Sequence, residues 1–115
     1  MELNEDKLHD LLGKVVTEMG AAANGPLVTI GDKLGLYTTL AESGHLTSHE
    51  LAEKTNTAER YVREWLSAQA ASGYIEYDTA SEKFFMTPEQ AMVFGNRKSP
   101  VFMTGAFYAI SSVYH

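Results

Sequence analysis

Residues 47–86 read TSHELAEKTNTAERYVREWLSAQAASGYIEYDTASEKFFM, and this stretch decides the fold. Thr47 and Glu50 stand in the spacing of a capping box, where the threonine hydroxyl accepts from the third amide and the glutamate reaches back. The spacing predicts a short helix to about Lys54. Thr55-Asn56-Thr57 is a turn, and Asn56 or Thr57 suits the cap of a further helix carrying Tyr61, Val62, Trp65, Leu66 and Ala68 to Ala70. Two short helices joined by so short a turn form a helix-turn-helix. Gly73 stops the second. Tyr74-Ile75-Glu76-Tyr77 and Lys83-Phe84-Phe85-Met86 are aromatic-rich runs about the polar loop Asp78 to Glu82, which predicts a β-hairpin at about 74–86. A helix-turn-helix followed by a hairpin is a winged-helix arrangement.

Toward the N-terminus, Leu8, Leu11, Leu12, Val15, Val16, Met19, Ala22 and Ala23 follow the stripe of an amphipathic helix, with Asp10, Lys14 and Glu18 outside it. Asn4, Glu5 and Asp6 suit its cap and first turn. Ala23-Asn24-Gly25-Pro26 is expected to end it, with Pro26 opening a second helix that bears Leu27, Ile30 and Leu34. Gly35 reads as a stop before a short helix from Leu36 to Ala41. Toward the C-terminus, Thr87-Pro88 restarts helix to about Phe94, and 95–98 is a polar break. A last helix is expected from Val101 to Tyr114, apolar on every side, so that it requires cover on every side. The fold class is therefore mainly α with a small β-hairpin: a winged helix-turn-helix with extra N-terminal and C-terminal helices. One domain over 1–115 is expected, comprising an N-terminal helix at 1–23, the winged-helix core at 26–87 and C-terminal helices at 88–115.

Composition narrows the function. The 115 residues carry nine basic and fifteen acidic side chains, a formal charge of −6, and no cysteine. Residues 47–86, where a DNA reader would be basic, are themselves net acidic, and the wing loop contributes Asp78 and Glu82. Nucleic-acid affinity rests largely on Lys and Arg neutralising phosphate, so this balance argues against a duplex-binding surface. Arg60 and Arg63 stand where such a surface would be, but Glu59 and Glu64 flank them, and ion pairing is the expected role. Without cysteine there is no disulfide framework, thiolate metal site or Cys nucleophile. No stretch is long and apolar enough for a membrane span, and the acidic start is unlike a signal peptide, so a soluble cytoplasmic protein is the expectation.

Candidate chemical motifs are sparse. His49-Glu50-Leu51-Ala52-Glu53 approaches a zincin motif, but Glu53 replaces the second histidine and His45 falls outside the helix, so no metal site is assigned. There is no Gly-x-Ser-x-Gly elbow and no P-loop. Tyr61, Trp65 and Leu66 at helical spacing read as core rather than pocket.

The series Lys33-Leu34-Gly35-Leu36-Tyr37-Thr38-Thr39-Leu40-Ala41, Leu46-Thr47-x-x-Glu50-Leu51-Ala52 and Glu59-Arg60-Tyr61-Val62-Arg63-Glu64-Trp65-Leu66 through Gly73-Tyr74-Ile75-Glu76 resembles one module. It is similar to the N-terminal winged-helix domain of bacterial class I S-adenosylmethionine-dependent methyltransferases, over about residues 26–110. The resemblance implies a non-catalytic portion that dimerises and roofs the acceptor pocket, ahead of a Rossmann-like domain that binds S-adenosylmethionine. This sequence has no Gly-x-Gly, so no cofactor-binding or catalytic residue is assigned to it. Leu8, Leu11, Leu12, Val15, Val16 and Met19 are the expected homodimer interface. Phe102, Met103, Phe107 and Tyr108 are the acceptor-pocket candidates that the resemblance implies, for a small apolar or aromatic substrate. A stand-alone winged-helix transcription regulator and a small apolar-ligand-binding module are the alternatives.

Overall fold

A computed structural model describes residues 2–104. Its elements run α1 (Glu5–Lys33), α2 (Leu36–Ser43), α3 (Ser48–Thr55), α4 (Glu59–Ala71), β1 (Glu76–Asp78), β2 (Lys83–Phe85) and α5 (Pro88–Gln90), the last passing directly into a π-helical turn (Ala91–Gly95). The strands pair antiparallel, with Tyr77 opposite Phe84. Leu46 forms a single antiparallel bridge to β2, exchanging both backbone hydrogen bonds with Phe84 at 3.0 and 2.7 Å. The fold is the expected mainly α winged helix-turn-helix.

Local signals produced several of these elements. The Asn4 side chain accepts from the Lys7 amide at 3.1 Å, capping α1 ahead of Glu5 and Asp6. The capping box of α3 is complete in both directions, Glu50 N–H to Thr47 Oγ1 at 3.1 Å and Thr47 N–H to Glu50 Oε1 at 2.9 Å. Thr87 and Gln90 form a second box around Pro88.

Two expectations are corrected. α1 does not end at residue 23; it is one helix through Asn24, Gly25 and Pro26 to Lys33, about 43 Å long at 1.5 Å per residue. Pro26 lacks the N–H that would reach the Ala22 carbonyl, but Ala22 is exposed, so that carbonyl faces solvent. Asn24 is held by α4: Gln69 Nε2 donates to its Oδ1 at 3.3 Å, and its Nδ2 donates to Ser72 Oγ at 2.7 Å. Tyr37 O–H donates to Gln69 Oε1, so a buried polar chain pins the helix where its local sequence would break it. The start of α4 is the second correction. Asn56 adopts a left-handed conformation (φ 53°) to close α3, and the Thr57 hydroxyl bonds Thr55, so α4 starts at Glu59 with Ala58 at its N-cap and no side-chain cap.

The core comprises Val28, Leu36, Tyr37, Leu40, Leu46, Leu51, Ala52, Val62, Trp65, Leu66, Ile75, Phe84 and Phe94, all from the C-terminal part of α1 onward. Every described residue before Asn24 is exposed. The expected helix from Val101 is not seen at its start: residues 101–103 are non-helical, and the remainder beyond Thr104 lies outside the described residues.

Candidate functional site

The N-terminal half of α1 leaves the core and keeps its apolar side chains. Leu8, Leu11, Leu12, Val15, Val16 and Met19 are between 36% and 68% exposed, so no element among the described residues covers them. Large apolar side chains gathered on one exposed helix face mark an interaction surface. The six expected interface residues thus lie on one free face; nothing within the described chain assigns them a partner.

The same helix reaches a groove. Leu27 and Ile30 of α1, Leu34 at its C-cap, Leu36 of α2, and Thr57, Ala58, Tyr61, Val62, Glu64 and Trp65 from the α4 side enclose about 490 Å³. Its lining is almost wholly apolar. Trp65 forms the floor: it is 5% exposed, its indole N–H donates to the Leu27 carbonyl at 2.8 Å, and it meets the Tyr37 ring edge-on at 4.8 Å. Tyr61, expected in the core with Trp65, is instead 74% exposed at the rim, one turn before Trp65 on the same side of α4 but beyond the cover that α1 gives the indole. Ile30 and Leu34 are likewise exposed. The continuity of α1 is the signal that places them beside the N-terminal stripe, and the expected break at Pro26 concealed it.

The face a DNA-binding winged helix would use is electrically satisfied. Arg60 lies 4.0 Å from Glu64, and Arg63 lies 3.6 Å from Glu59, which also approaches His49 Nε2 at 3.7 Å. In the wing, Asp78 accepts from the Ser81 hydroxyl at 2.8 Å and the Ala80 amide at 3.0 Å, and these bonds hold its carboxyl below the usual range. Glu50 is lowered in the same way by the hydrogen bonds of its capping box. Among the described residues no group of three His, Asp or Glu side chains is arranged to hold a metal. His45 lies outside α3 and stacks on Phe85 at 4.4 Å. No helix among the described residues is long and apolar enough to cross a membrane.

Of the acceptor-pocket candidates, Phe102 is half-buried beneath the Arg97 guanidinium, 5.5 Å from its ring, and Met103 is exposed. Phe107 and Tyr108 lie outside the described residues. A clasp escaped the sequence reading: Asp32 Oδ1 accepts from Arg97 at 2.7 Å and from the buried Thr104 hydroxyl at 3.1 Å. Met103 N–H adds a bond to the Val93 carbonyl at 2.8 Å. These contacts tie the segment entering residue 104 to the last turn of α1. A salt bridge between residues this far apart leaves no trace in local sequence.

The family described as "Rv2258c-like winged HTH domain" matches residues 22–96. No curated protein matches the chain. Solved structures do. The mitomycin 7-O-methyltransferase MmcR superposes with a TM-score of 0.74 at 20% identity, over 90% of this chain and 30% of that one. CalO1, a methyltransferase in calicheamicin biosynthesis in its SAH-bound form, gives 0.70 at 19% identity, over 96% and 31%. An O-methyltransferase described as putative, from Nostoc punctiforme, gives 0.71 at 20% identity, over 86% and 29%. The chain thus spans less than a third of each of these proteins, and at such identities the likeness is one of fold.

Proposed function

Since the chain belongs to the Rv2258c-like winged HTH domain family, we propose that it is the non-catalytic, N-terminal dimerisation and substrate-covering portion of an S-adenosylmethionine-dependent O-methyltransferase. The acceptor in this reading is a small apolar or aromatic molecule, with Phe102, Met103, Phe107 and Tyr108 against it. The observation that carries the proposal is the division within α1: its C-terminal part is core, and its N-terminal half carries six apolar side chains that nothing among the described residues buries. The fold shared with three methyltransferase structures supports it.

The described residues do not fit S-adenosylmethionine. The only sheet among them is a two-stranded hairpin with no glycine-rich turn entering a helix, and the groove beneath Tyr61 is apolar with Glu64 at its edge. The cofactor and the methyl transfer therefore belong, in this proposal, to a further domain, and no residue here is given a catalytic role.

Size-exclusion chromatography with light scattering tests the reading. The parent chain is expected to be a dimer and Leu12→Asp a monomer; a parent that is monomeric at high micromolar concentration removes the dimerisation role. A gel-shift assay at low salt tests the regulator alternative. Tight, salt-sensitive duplex binding would replace the methyltransferase reading with a DNA-binding one.

A further inference from the structure

We infer that the groove between α1 and α4 is a site for a small amphiphilic cation. Its quaternary or protonated tertiary ammonium head is held by Tyr61, Glu64 and Trp65, and its apolar body lies along Ile30 and Leu34. This goes beyond the proposed function, since it concerns the side of α1 turned away from the Asp32 clasp: Asp32 projects about 160° from Leu34 around the helix.

The groove has a direction. Trp65 bonds the Leu27 carbonyl and Gln69 bonds Asn24, so α4 runs antiparallel to the C-terminal part of α1. Leu27, Glu64 and Trp65 therefore share one end, and Leu34, Leu36, Thr57 and Ala58 share the other. Between Leu27 and Leu34 the helix advances about 10 Å, which sets the length of the apolar body. The enclosed volume of about 490 Å³ falls within the roughly 300–1,000 Å³ of small-ligand sites.

Charge decides what enters. Among the lining residues Glu64 alone is charged, so an anionic ligand would meet an unmatched carboxylate. A cation satisfies it. On α4, Tyr61 neighbours Glu64 at i+3 and Trp65 at i+4, so a carboxylate and two aromatic side chains converge on one end of the groove. Aromatic side chains of this kind hold ammonium ions by the attraction of the ring face for positive charge. A methylated head suits this end better than a primary amine, because an apolar lining offers few acceptors to replace the water that an amine N–H would lose. Arg60 approaches Glu64 only to 4.0 Å, and both side chains are exposed, so this pair is weak and does not withhold the carboxylate. The positive end of α4 lies at Ala58, about 9 Å along the helix from Glu64, which sets the head at the Glu64 end and the tail at the other. The formal charge of −6 favours the approach of cations as a whole.

Trp65, the single tryptophan, forms the floor and reports occupancy through its fluorescence. Octyltrimethylammonium, octanol and octanoate, titrated below micelle formation, present one chain with a cationic, neutral or anionic head. The expected result is a saturable change in Trp65 emission with octyltrimethylammonium, at about tenfold higher affinity than octanol, and no response to octanoate. Glu64→Gln should weaken the cation about threefold to fivefold and leave octanol unchanged. Both Tyr61 and Glu64 are exposed, and an unaltered urea midpoint checks that the variant is folded. Equal affinities for cation and octanol, or a cation affinity unmoved by Glu64→Gln, would overturn the inference, as would the absence of a saturable response. Conversion of a light-scattering dimer to monomer by the cation would show that a second copy fills the groove, which also overturns it while leaving dimerisation in place. A monomeric parent that still binds the cation in the expected order would uphold the site and remove only the dimerisation role.

Discussion

Replacing Gly31 by alanine is expected to destabilise the protein, although the same replacement at Gly13 on the same helix is expected to stabilise it. A Cβ at Gly31 would lie 2.3 Å from Trp65 Cζ2 and 2.8 Å from Tyr37 Cε2. Both distances are well inside the ~3.5–4.0 Å of carbon contact. Trp65 cannot withdraw, since it is buried, its indole is bonded to the Leu27 carbonyl at 2.8 Å, and the Tyr37 ring closes its other side. Either α1 lifts from α4 or the indole turns and loses its acceptor. Overpacking of this kind costs about 1–3 kcal/mol, and a lost hydrogen bond about 1 more. The better helix propensity of alanine returns about 1 kcal/mol. The net expectation is a loss of about 1–3 kcal/mol. At Gly13 nothing lies within 4 Å, so only the propensity gain of about 0.5–1 kcal/mol remains. Urea unfolding followed by the fluorescence of Trp65, the single tryptophan, reads both variants. At a typical slope of about 2 kcal/mol/M the midpoint should fall by about 1 M for Gly31→Ala and rise slightly for Gly13→Ala, at fixed protomer concentration. Equal midpoints for the two variants would refute the close packing of α1 on Trp65.

Thr47→Ala removes the hydroxyl that caps α3 and should lower stability by about 1 kcal/mol in the same assay. Tyr37 is raised above the usual phenol range, first by burial and then by Tyr74 and Asp32. The unfolded phenol loses its proton near pH 10 while the folded one keeps it, so this contribution is whole below about pH 10 and falls as pH rises beyond it. Tyr37→Phe should flatten that alkaline loss in a stability–pH profile. Asp32→Ala should leave the core intact but raise hydrogen exchange at Thr104 and the Met103 amide, because it removes the acceptor shared by Arg97 and Thr104. The dimer dissociation constant should change less than about threefold between 50 and 500 mM salt, since apolar side chains dominate the proposed interface; a much larger rise would place charge pairs at its centre.

What could be read from the residues alone is what short-range chemistry decides. The Thr47–Glu50 box, the Asn4 cap, the Thr87-Pro88 restart and the aromatic hairpin each involve neighbours within a few positions, and each stands as expected. Residues 24–26 went the other way. Asn-Gly-Pro is a local stop signal, yet side chains from α4 hold Asn24 and make α1 continuous. That one misreading hid the groove, because Ile30 and Leu34 then belonged to a separate helix and their phase relation to Leu8 and Leu12 was lost. Tyr61 and Trp65 show the same limit at finer scale. Their spacing is that of one helical face, but only the structure reveals that α1 covers Trp65 and stops short of Tyr61.

The winged-helix geometry and its electrostatics point in different directions, and the difference explains how such a fold can serve a protein surface. In DNA-binding relatives of this architecture the second helix enters the major groove and presents cations to phosphate. Here the corresponding helix, α4, turns its inner face (Val62, Trp65, Leu66 and Gln69) toward α3, α1 and the core, so those positions are not free to read a duplex. On its outer face Arg60 and Arg63 are matched by Glu64 and Glu59 on adjacent turns. Exposed pairs of this kind add little stability, but they cancel the field that would draw a duplex toward the helix. What α4 leaves unmatched is Tyr61, an aromatic side chain at the mouth of an apolar groove whose other wall is the helix that carries the free stripe. The same helix-turn-helix frame therefore leaves an apolar surface, not a cationic one, unsatisfied. Since both walls of that groove depend on the Asn24–Gln69 contact and the Trp65–Leu27 bond, the core and the groove form one packing unit.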